Sequence, residues 1–293
     1  MSWSAGTGMG ELSVESFEIE GNYGRPVHFN VYQLRYIEYP GLMPVILTIH
    51  GISESKESMF SYNIELARRN FTVVSVDLSG HGDSQSTFNV SDINGMVNDC
   101  YNALRFVQEN FTSVDDERYG VLGNSFGFQI AHALSQFNVT PSAYVAVGEF
   151  EQTGLYFENA TEGNLLISLT EFDEVLALDA FQRITDNNDS EIGITYGSFE
   201  NQSAFRLDIA KSEHAFEALD QIIVASTTSW LVRAVQGEAQ YNSTIPHEAQ
   251  IYSYKAIADT TFIISIIGSA ITVLIIIHSG IRSILLRNTR RPN

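Results

Sequence analysis

The chain has 293 residues, of which 44% are hydrophobic and 17% charged, a size and composition that fit one α/β domain with an appendage. Acidic residues outnumber basic ones by 35 to 16, and such an acidic surface repels phosphate backbones, which argues against nucleic acid as a partner. The single cysteine, Cys100, rules out an intrachain disulfide and has no second thiol with which to form a metal site. We expect neither a metal nor another cofactor.

The first third of the chain is predicted to form four strands, with one helix between the third and the fourth. Residues 1–12 are predicted to be a tail. Two strands in which apolar and polar residues alternate follow, joined by a Gly-Asn-Tyr-Gly turn. After them come two apolar runs typical of strands buried on both faces. The predicted bounds are 13–19, 27–36, 44–49 and 71–76 for the strands and 57–69 for the helix.

From residue 91 onward, predicted helices and strands alternate. Ser91 can cap the first of these helices. The helices are predicted at 91–110, 125–137, 173–184 and 213–235, and the strands at 119–122, 143–147, 165–169 and 205–209. This alternation predicts the α/β class, with a doubly wound, mostly parallel eight-stranded sheet that begins with an antiparallel pair.

A C-terminal apolar segment predicts one membrane-spanning helix. Residues 260–281 contain no Asp, Glu, Lys or Arg and consist mainly of Ile, Val, Leu and Phe. About 20 such residues cross a hydrocarbon core of about 30 Å as a helix. The predicted organisation is a tail at 1–12, a globular domain at 13–235, a polar stalk at 236–259, the transmembrane helix at 260–281 and a basic tail at 282–293.

The charges that flank this helix predict its orientation. Four arginines and no acidic residue follow it, so the positive-inside rule places the tail in the cytoplasm and the domain outside. Eight Asn-x-Ser/Thr sequons favour a glycosylated exterior, and they begin at Asn70, Asn89, Asn110, Asn138, Asn159, Asn188, Asn201 and Asn242. The N-terminal residues lack the pattern of a signal peptide. We therefore favour an export signal upstream, and the alternative is a tail-anchored protein whose domain faces the cytosol.

The segment Gly123-Asn124-Ser125-Phe126-Gly127 satisfies the G-x-S-x-G pattern of a nucleophile elbow. It follows an apolar strand and precedes an apolar-periodic helix, which is the setting that this pattern requires. Gly123 and Gly127 allow the strand and the helix to approach each other, and the helix N-terminus favours developing negative charge. Ser125 is therefore the predicted nucleophile, and the alternative is a glycine-rich turn with a capping serine.

A second motif, Asp77-Leu78-Ser79-Gly80-His81-Gly82-Asp83-Ser84, follows the fourth predicted strand. Together with the elbow, it makes residues 13–235 resemble the α/β-hydrolase superfamily, although the arginine usual in this loop is absent. The resemblance implies a loop-bracing role for His81. Only about 15 residues, 149–163, stand where many relatives insert a lid, so the chain is most similar to lidless dienelactone-hydrolase-like proteins and short-chain esterases.

The resemblance also implies where the oxyanion hole lies. His50 and Gly51 end the third strand, and in this fold the loop after that strand supplies one backbone N–H. The expected donors are Ile52 and Phe126, and Gly51 lets the loop turn over the site. The alternative for this loop is an ordinary strand-ending turn.

The remaining members of a catalytic triad follow the superfamily's chain order of nucleophile, acid and histidine. The expected acid is Asp173, in the loop after the seventh strand, and Glu171, Glu174 and Glu149 are the alternatives. The expected base is His214, in the loop after the last strand.

These residues predict a serine hydrolase that cleaves a carboxylic ester or thioester through an acyl-enzyme, with a small-molecule or lipid ester as substrate. A serine nucleophile argues against epoxide hydrolase chemistry, which in this fold uses aspartate. Two alternatives remain, namely a serine peptidase or amidase on the same triad and a catalytically idle surface binding module.

Overall fold

The computed structural model describes residues 8–21, 24–36, 41–134, 140–148, 163–171, 181–182 and 189–288. Its strands are β1 Leu12–Glu20, β2 Pro26–Leu34, β3 Met43–Ile49, β4 Thr72–Val76, β5 Val114–Asn124, β6 Ala143–Val147, β7 Asn164–Thr170 and β8 Phe205–Ala210. Its α-helices are α1 Phe60–Ala67, α2 Ile93–Asn110, α3 Phe126–Ala133, α4 Gln221–Leu231, α5 Glu238–Ser243 and α6 Tyr252–Asn288. Short 3₁₀ turns lie at Gly8–Gly10 and His214–Leu219, and a π-helical turn lies at Val232–Gln236.

The eight strands form one sheet in the order β1-β2-β4-β3-β5-β6-β7-β8. β2 pairs antiparallel with both β1 and β4, whereas the other neighbouring pairs are parallel. The predicted mostly parallel sheet with an antiparallel start is therefore confirmed. Every residue of β3, β4, β6 and β7 is buried, which explains their continuous apolar runs.

Helices cover both faces of the sheet. Cys100 of α2 and Phe128 of α3 belong to one core cluster, and Tyr62 of α1 and Trp230 of α4 belong to the other. Cys100 is fully buried, and its burial raises the pKa of its thiol, so it packs as a small hydrophobe.

The sheet register brings several strand ends together at one edge. Ile49 of β3 lies opposite Gly123 of β5, and Asn124 lies opposite Val147 of β6. The residues that directly follow these three parallel strands therefore lie side by side. In open α/β sheets, ligands bind at this carboxyl edge.

Two predicted helices differ in detail from the observed ones. The cap of α2 is Asp92 rather than Ser91, because the Asp92 carboxylate accepts a hydrogen bond from the Gly95 amide at 3.2 Å. The helix predicted over 213–235 is interrupted at Asp220, whose carboxylate accepts hydrogen bonds from the first amides of α4. The preceding residues form the separate 3₁₀ turn.

The predicted polar stalk packs against the domain near its C-terminal end. Glu65 of α1 is fully buried, and its Oε1 accepts hydrogen bonds from the backbone amides of Ile251 at 2.6 Å and Tyr252 at 3.0 Å. Arg69, also fully buried, lies 2.8 Å from the same carboxylate. The start of α6 is therefore attached to the domain, and polar composition alone does not reveal this because the partners are distant in the sequence.

His247 makes this attachment sensitive to pH. The side chain is 8% exposed and stacks on Tyr241, and burial, with Arg69 nearby, lowers its pKa from 6.5 to about 4. His247 therefore binds a proton near pH 6.5 in the unfolded chain but only near pH 4 in the folded chain. A fall in pH from 6.5 to 4 thus favours unfolding. We expect the free energy of unfolding to fall by up to about 3 kcal/mol there.

Urea unfolding of the full chain in detergent at several pH values checks this expectation. His247→Gln should lose less stability than the parent between about pH 6.5 and pH 4. Identical pH dependence of the two proteins would show that another group is responsible.

α6 continues beyond the domain as an isolated helix. Its residues 260–282 are exposed throughout, and among the described helices it alone has the length and apolar composition to cross a membrane. At 1.5 Å per residue its 37 residues extend about 55 Å. This length exceeds the thickness of a hydrocarbon core, which is about 30 Å. The predicted span at 260–281 lies within this helix.

Candidate active site

Ser125 occupies a strained turn between β5 and α3. Its φ of 49° and ψ of −125° lie in a region that non-glycine residues rarely adopt, and such strain is typical of functional sites. The Ser125 amide donates to the Val147 carbonyl at 2.7 Å, and its carbonyl accepts from the Phe128 amide at 2.9 Å. Backbone contacts with β6 and α3 therefore hold the serine in this conformation, and its side chain is half-buried.

The two glycines of the elbow permit a close approach of backbone to backbone. A Cβ at Gly123 would overlap the backbone of Phe128, and a Cβ at Gly127 would overlap the carbonyl oxygen of Ile49. α3 can therefore begin directly over the end of β3 only if both positions lack a side chain.

The loop after β3 lies against the nucleophile. A Cβ placed on Gly51 would lie 3.3 Å from the Ser125 Cβ, so the two residues are close neighbours. The Gly51 amide donates to the Glu54 carboxylate at 2.8 Å, and the Ser53 amide donates to His81 Nε2 at 3.1 Å. The Ile52 amide between them has no acceptor among the described residues.

The amide of Phe126 is the second N–H next to Ser125. It begins α3, where a helix leaves its first amides without internal acceptors, and no acceptor for it lies in the described part of the chain. Phe126 follows Ser125 in the chain, and Ile52 follows Gly51, the close neighbour of Ser125. Their role as oxyanion donors stays a prediction.

Two histidines brace the loop after β3. His50 Nε2 accepts from the Leu78 amide at 3.0 Å and Nδ1 donates to the Gly51 carbonyl at 2.7 Å, an arrangement that requires the neutral imidazole. Burial lowers the pKa of His50 in agreement with this. His81 accepts from Ser53 and donates from Nδ1 to the Ser79 carbonyl at 3.1 Å. His81 therefore braces the loop, as the resemblance implied.

An ion cluster holds the far side of the same loop. The Lys56 Nζ lies 2.6 Å from both the Asp77 and Asp83 carboxylates, and its amide also donates to Asp77. Burial alone would lower the pKa of Lys56, but the hydrogen bonds to acidic partners outweigh it and raise the pKa. The loop after β3 and the loop after β4 are therefore joined by a buried charge pair.

His214 reaches the same edge of the sheet from the loop after β8. Gly148, which follows β6, has φ +64°, and a Cβ added there would lie 2.8 Å from His214 Cε1 and overlap the Glu217 carboxylate. Since Ser125 hydrogen-bonds the residue before Gly148, the predicted base and nucleophile both adjoin the end of β6. His214 is 53% exposed at its side chain.

The expected acid, Asp173, lies outside the described residues, as do the alternatives Glu149 and Glu174. Glu171 directly follows β7, and its side chain is exposed. The carboxylate that the structure places beside His214 is Glu217, with Oε2 3.3 Å from Nδ1. Sequence reasoning missed this residue, and the available signal was its position three residues after the histidine.

Gly148 is a second position that the sequence analysis did not single out. Alanine there should displace His214 and Glu217, so we expect the rate of labelling by a fluorophosphonate to fall about tenfold or more. Gly193→Ala is the matched control, because Gly193 has φ +81° and a Cβ added there would have nothing within 4 Å. The control should lose about 1 kcal/mol of stability but keep its labelling rate. Equal rates for the two variants would contradict the placement of Gly148 at the site.

A separate cavity of about 610 Å³ lies between the 192–209 region, α4 and the segment 241–250. No predicted site residue lines it, so the reaction is not assigned to it. Within the described residues, no group of three or more His, Cys, Asp or Glu side chains could hold a metal ion.

Comparison with known proteins agrees with this architecture. Residues 43–146 match the family model described as serine aminopeptidase, S33. No curated protein sequence matches the chain. A bacterial heroin esterase is similar in structure, with a TM-score of 0.54 and 18% identity, over 77% of this chain and 85% of that chain. An esterase from Pyrococcus furiosus has a TM-score of 0.55 and 15% identity, over 76% of this chain and 93% of that chain.

Epoxide hydrolases also match, but less completely. One from Vigna radiata has a TM-score of 0.37 and 22% identity, over 46% of this chain. The chain spans about 40% of the length of that epoxide hydrolase. Its sheet topology and its two esterase neighbours show that the chain has the α/β-hydrolase fold.

Proposed function

We propose that the chain is a membrane-anchored serine hydrolase that cleaves a carboxylic ester or thioester. The observation that carries this proposal is the strained Ser125, which lies against Gly51 in the loop after β3 and close to the strand end that His214 contacts. A strained serine at a helix N-terminus is the setting in which α/β-hydrolases present their nucleophile for acyl transfer.

The reaction follows from the roles of these groups. His214 accepts the Ser125 proton as Oγ attacks the acyl carbonyl, and the amides of Ile52 and Phe126 donate to the resulting oxyanion. His214 then gives the proton to the leaving group, which departs and leaves an acyl-enzyme. Water, deprotonated by the same histidine, releases the acid and restores Ser125. Asp173 is the proposed acid that orients the imidazole.

Ester bonds are favoured over peptide bonds by the two esterase neighbours, which are similar over most of their own length. The family model that matches residues 43–146 describes an aminopeptidase, so peptide or amide cleavage on the same residues is the second candidate. Hydrolysis of a matched pair of p-nitrophenyl butyrate and amino-acid p-nitroanilide substrates separates the two.

We propose that residues 260–281 anchor the protein, with the C-terminal tail in the cytoplasm and the domain outside. The isolated apolar α6 and the arginines that follow it support this orientation. Among the described residues, four sequon asparagines are exposed and accessible to glycosylation, namely Asn89, Asn110 and Asn201 in the domain and Asn242 in the stalk. Protease digestion of right-side-out vesicles, whose exterior faces the protease, tests the orientation. Digestion of the domain would support the proposal, and protection of the domain would support the cytosol-facing alternative.

Labelling of the full chain in detergent by a fluorescent fluorophosphonate tests the catalytic proposal. The parent should react, Ser125→Ala and His214→Ala should not, and Ser91→Ala, which removes an exposed serine elsewhere, should react like the parent. Absence of labelling in a folded parent would refute the hydrolase proposal and favour an idle binding module.

A further inference from the structure

We propose that the sheet edge that carries Ser125 faces the membrane in which α6 is anchored, and that the substrate is an acyl ester of a lipid in the nearer leaflet. This inference rests on the proposed function, since it names a substrate class for the same serine and depends on the same anchor. It follows from the direction in which α6 leaves the domain, the short distance to its apolar segment and an exposed apolar patch beside His214.

α6 runs antiparallel to α1 and leaves the domain at the carboxyl edge of the sheet. The amides of Ile251 and Tyr252 at its start donate to Glu65, in the second half of α1. One turn later, the Lys255 Nζ lies 5.0 Å from the ring centroid of Phe60, the first residue of α1. Since α1 begins after the loop that follows β3 and returns to the start of the parallel strand β4, its first residue marks the carboxyl edge. The order of these contacts therefore directs α6 toward the edge that carries the nucleophile elbow.

A short piece of α6 separates these contacts from the apolar segment. The helix is continuous from Tyr252 to Asn288, and from Lys255 to Thr260 it rises about 8 Å at 1.5 Å per residue. The headgroup layer on each side of a hydrocarbon core is about 5–8 Å thick. When residues 260–281 fill the hydrocarbon core, Lys255 therefore lies at the outer limit of the headgroups, and the carboxyl edge of the domain meets the membrane surface.

An exposed apolar patch lies at the same edge, between β8 and the first turn of α4. It consists of Phe216, Leu219 and Ile222, whose exposed fractions are 56%, 40% and 64%. Phe216 and Leu219 belong to the 3₁₀ turn that begins with His214, and the Tyr252 hydroxyl of α6 donates to the Leu219 carbonyl at 2.7 Å. The apolar patch is therefore next to both the predicted base and the start of the membrane helix.

Contact between the apolar patch and the bilayer has a consequence for the substrate. Large apolar side chains at a membrane surface gain free energy by entering the boundary between headgroups and acyl chains. The ester groups of membrane lipids occupy this boundary, so such a group reaches Ser125 without its acyl chain crossing water. The acidic residues of the chain, 35 against 16 basic ones, repel anionic headgroups and favour neutral or zwitterionic lipids.

Fluorescence quenching from within the bilayer tests whether the apolar patch contacts lipid. Cys100 is the only cysteine in the chain and is fully buried, so Phe216→Cys presents one reactive thiol for a bimane fluorophore. The labelled full chain is reconstituted into phosphatidylcholine vesicles, with and without a phosphatidylcholine that carries a nitroxide below its headgroup. The fluorophore should lose about half or more of its emission to the nitroxide, because interfacial apolar groups enter about 5–10 Å into the boundary region.

Leu42→Cys is the matched control. Leu42 is apolar and 48% exposed, but it directly precedes β3 and so lies at the opposite edge of the sheet, about 20 Å away along the strand. A bimane at this position should keep its emission. Equal emission with and without the nitroxide at position 216 would overturn the inference. Protection of that fluorophore from iodide without quenching by the lipid would also overturn it, because protein such as a second copy of the chain would then cover the apolar patch.

Paired rates on a lipid ester and a soluble ester test the substrate class. In vesicles of dioleoylphosphatidylcholine with monooleoylglycerol, Phe216→Ser/Ile222→Ser should release oleate about tenfold more slowly than the parent, because two apolar contacts with the bilayer are lost. Its rate on p-nitrophenyl butyrate, which arrives from water, should stay parental, and Leu42→Ser should keep both rates.

The outcomes separate this inference from the proposed function. Parental oleate release by the double variant, equal losses on both esters, or a parent that hydrolyses only the soluble ester would overturn the inference and leave the serine hydrolase intact. A folded parent that is inactive on both esters and is not labelled by a fluorophosphonate would refute the proposed function itself. The quenching experiment reports membrane contact independently of catalysis.

Discussion

Replacing Ser125 with alanine is expected to lower ester hydrolysis by about 10⁴-fold or more without unfolding the protein. The substitution removes the only atom proposed to bond to the acyl carbon, and alanine is no larger than serine, so the strained turn remains held by the Val147 and Phe128 backbones. Hydrolysis of p-nitrophenyl butyrate by the full chain in detergent, with circular dichroism as the check on folding, measures the effect.

The double variant Ser125→Ala/His214→Ala distinguishes a catalytic unit from two independent contributions. Residues that act together lose nearly all of their effect when either is removed, so the double variant should be about as slow as each single one. Losses that multiply would argue that His214 is not the base for Ser125. The available amides of Ile52 and Phe126 should leave all three variants with a small residual rate.

Replacing Lys56 with methionine is expected to destabilise the protein by about 3–5 kcal/mol. The Lys56 side chain is 2% exposed and the Asp77 side chain is fully buried, so the substitution leaves a buried carboxylate without its charged partner. Methionine fills a similar volume, which separates the loss of charge from the loss of packing. For a domain of this size, the thermal midpoint should fall by about 10 °C.

Asp83→Asn is the control for this effect. It removes the other strong partner of Lys56, but the Asp83 side chain is 71% exposed, and exposed ion pairs contribute about 1 kcal/mol or less. Similar losses of stability in the two variants would contradict the assignment of the buried pair as the stabilising contact. Because this pair joins the loops after β3 and β4, Lys56→Met should also slow labelling at Ser125.

Local patterns predicted most of the sheet because buried parallel strands have a strong sequence signature. The continuous apolar runs at 44–49 and 143–147 lie almost where β3 and β6 are found, and the Gly-x-Ser-x-Gly segment lies at the end of β5. Such runs are recognisable because every residue in them is buried and because they are short and bounded by turn residues. The elbow was recognisable because its glycines and serine are adjacent in the sequence.

Boundaries set by competing polar groups were less predictable. The helix over 213–235 had continuous helical periodicity, but Asp220 caps a new helix in its middle and leaves His214 and Glu217 on a separate 3₁₀ turn. The polar stalk likewise looked solvent-exposed, although the buried Glu65 binds its backbone. In each case a side chain supplies hydrogen bonds that residue-by-residue polarity does not indicate.

The amino-acid sequence alone predicts the α/β class, the strand order along the chain, the nucleophile candidate and the apolar C-terminal helix, because each depends on residues close together in the chain. Only the tertiary structure placed Gly148 against the turn that carries His214, joined Lys56 to Asp77 and set Glu217 beside the imidazole. The first two contacts join residues that are far apart in the sequence, and Glu217 is buried beside Gly148 and Tyr62, which are also distant from it in the sequence. Burial and pairing of charges arise when the sheet assembles, and no local pattern encodes them.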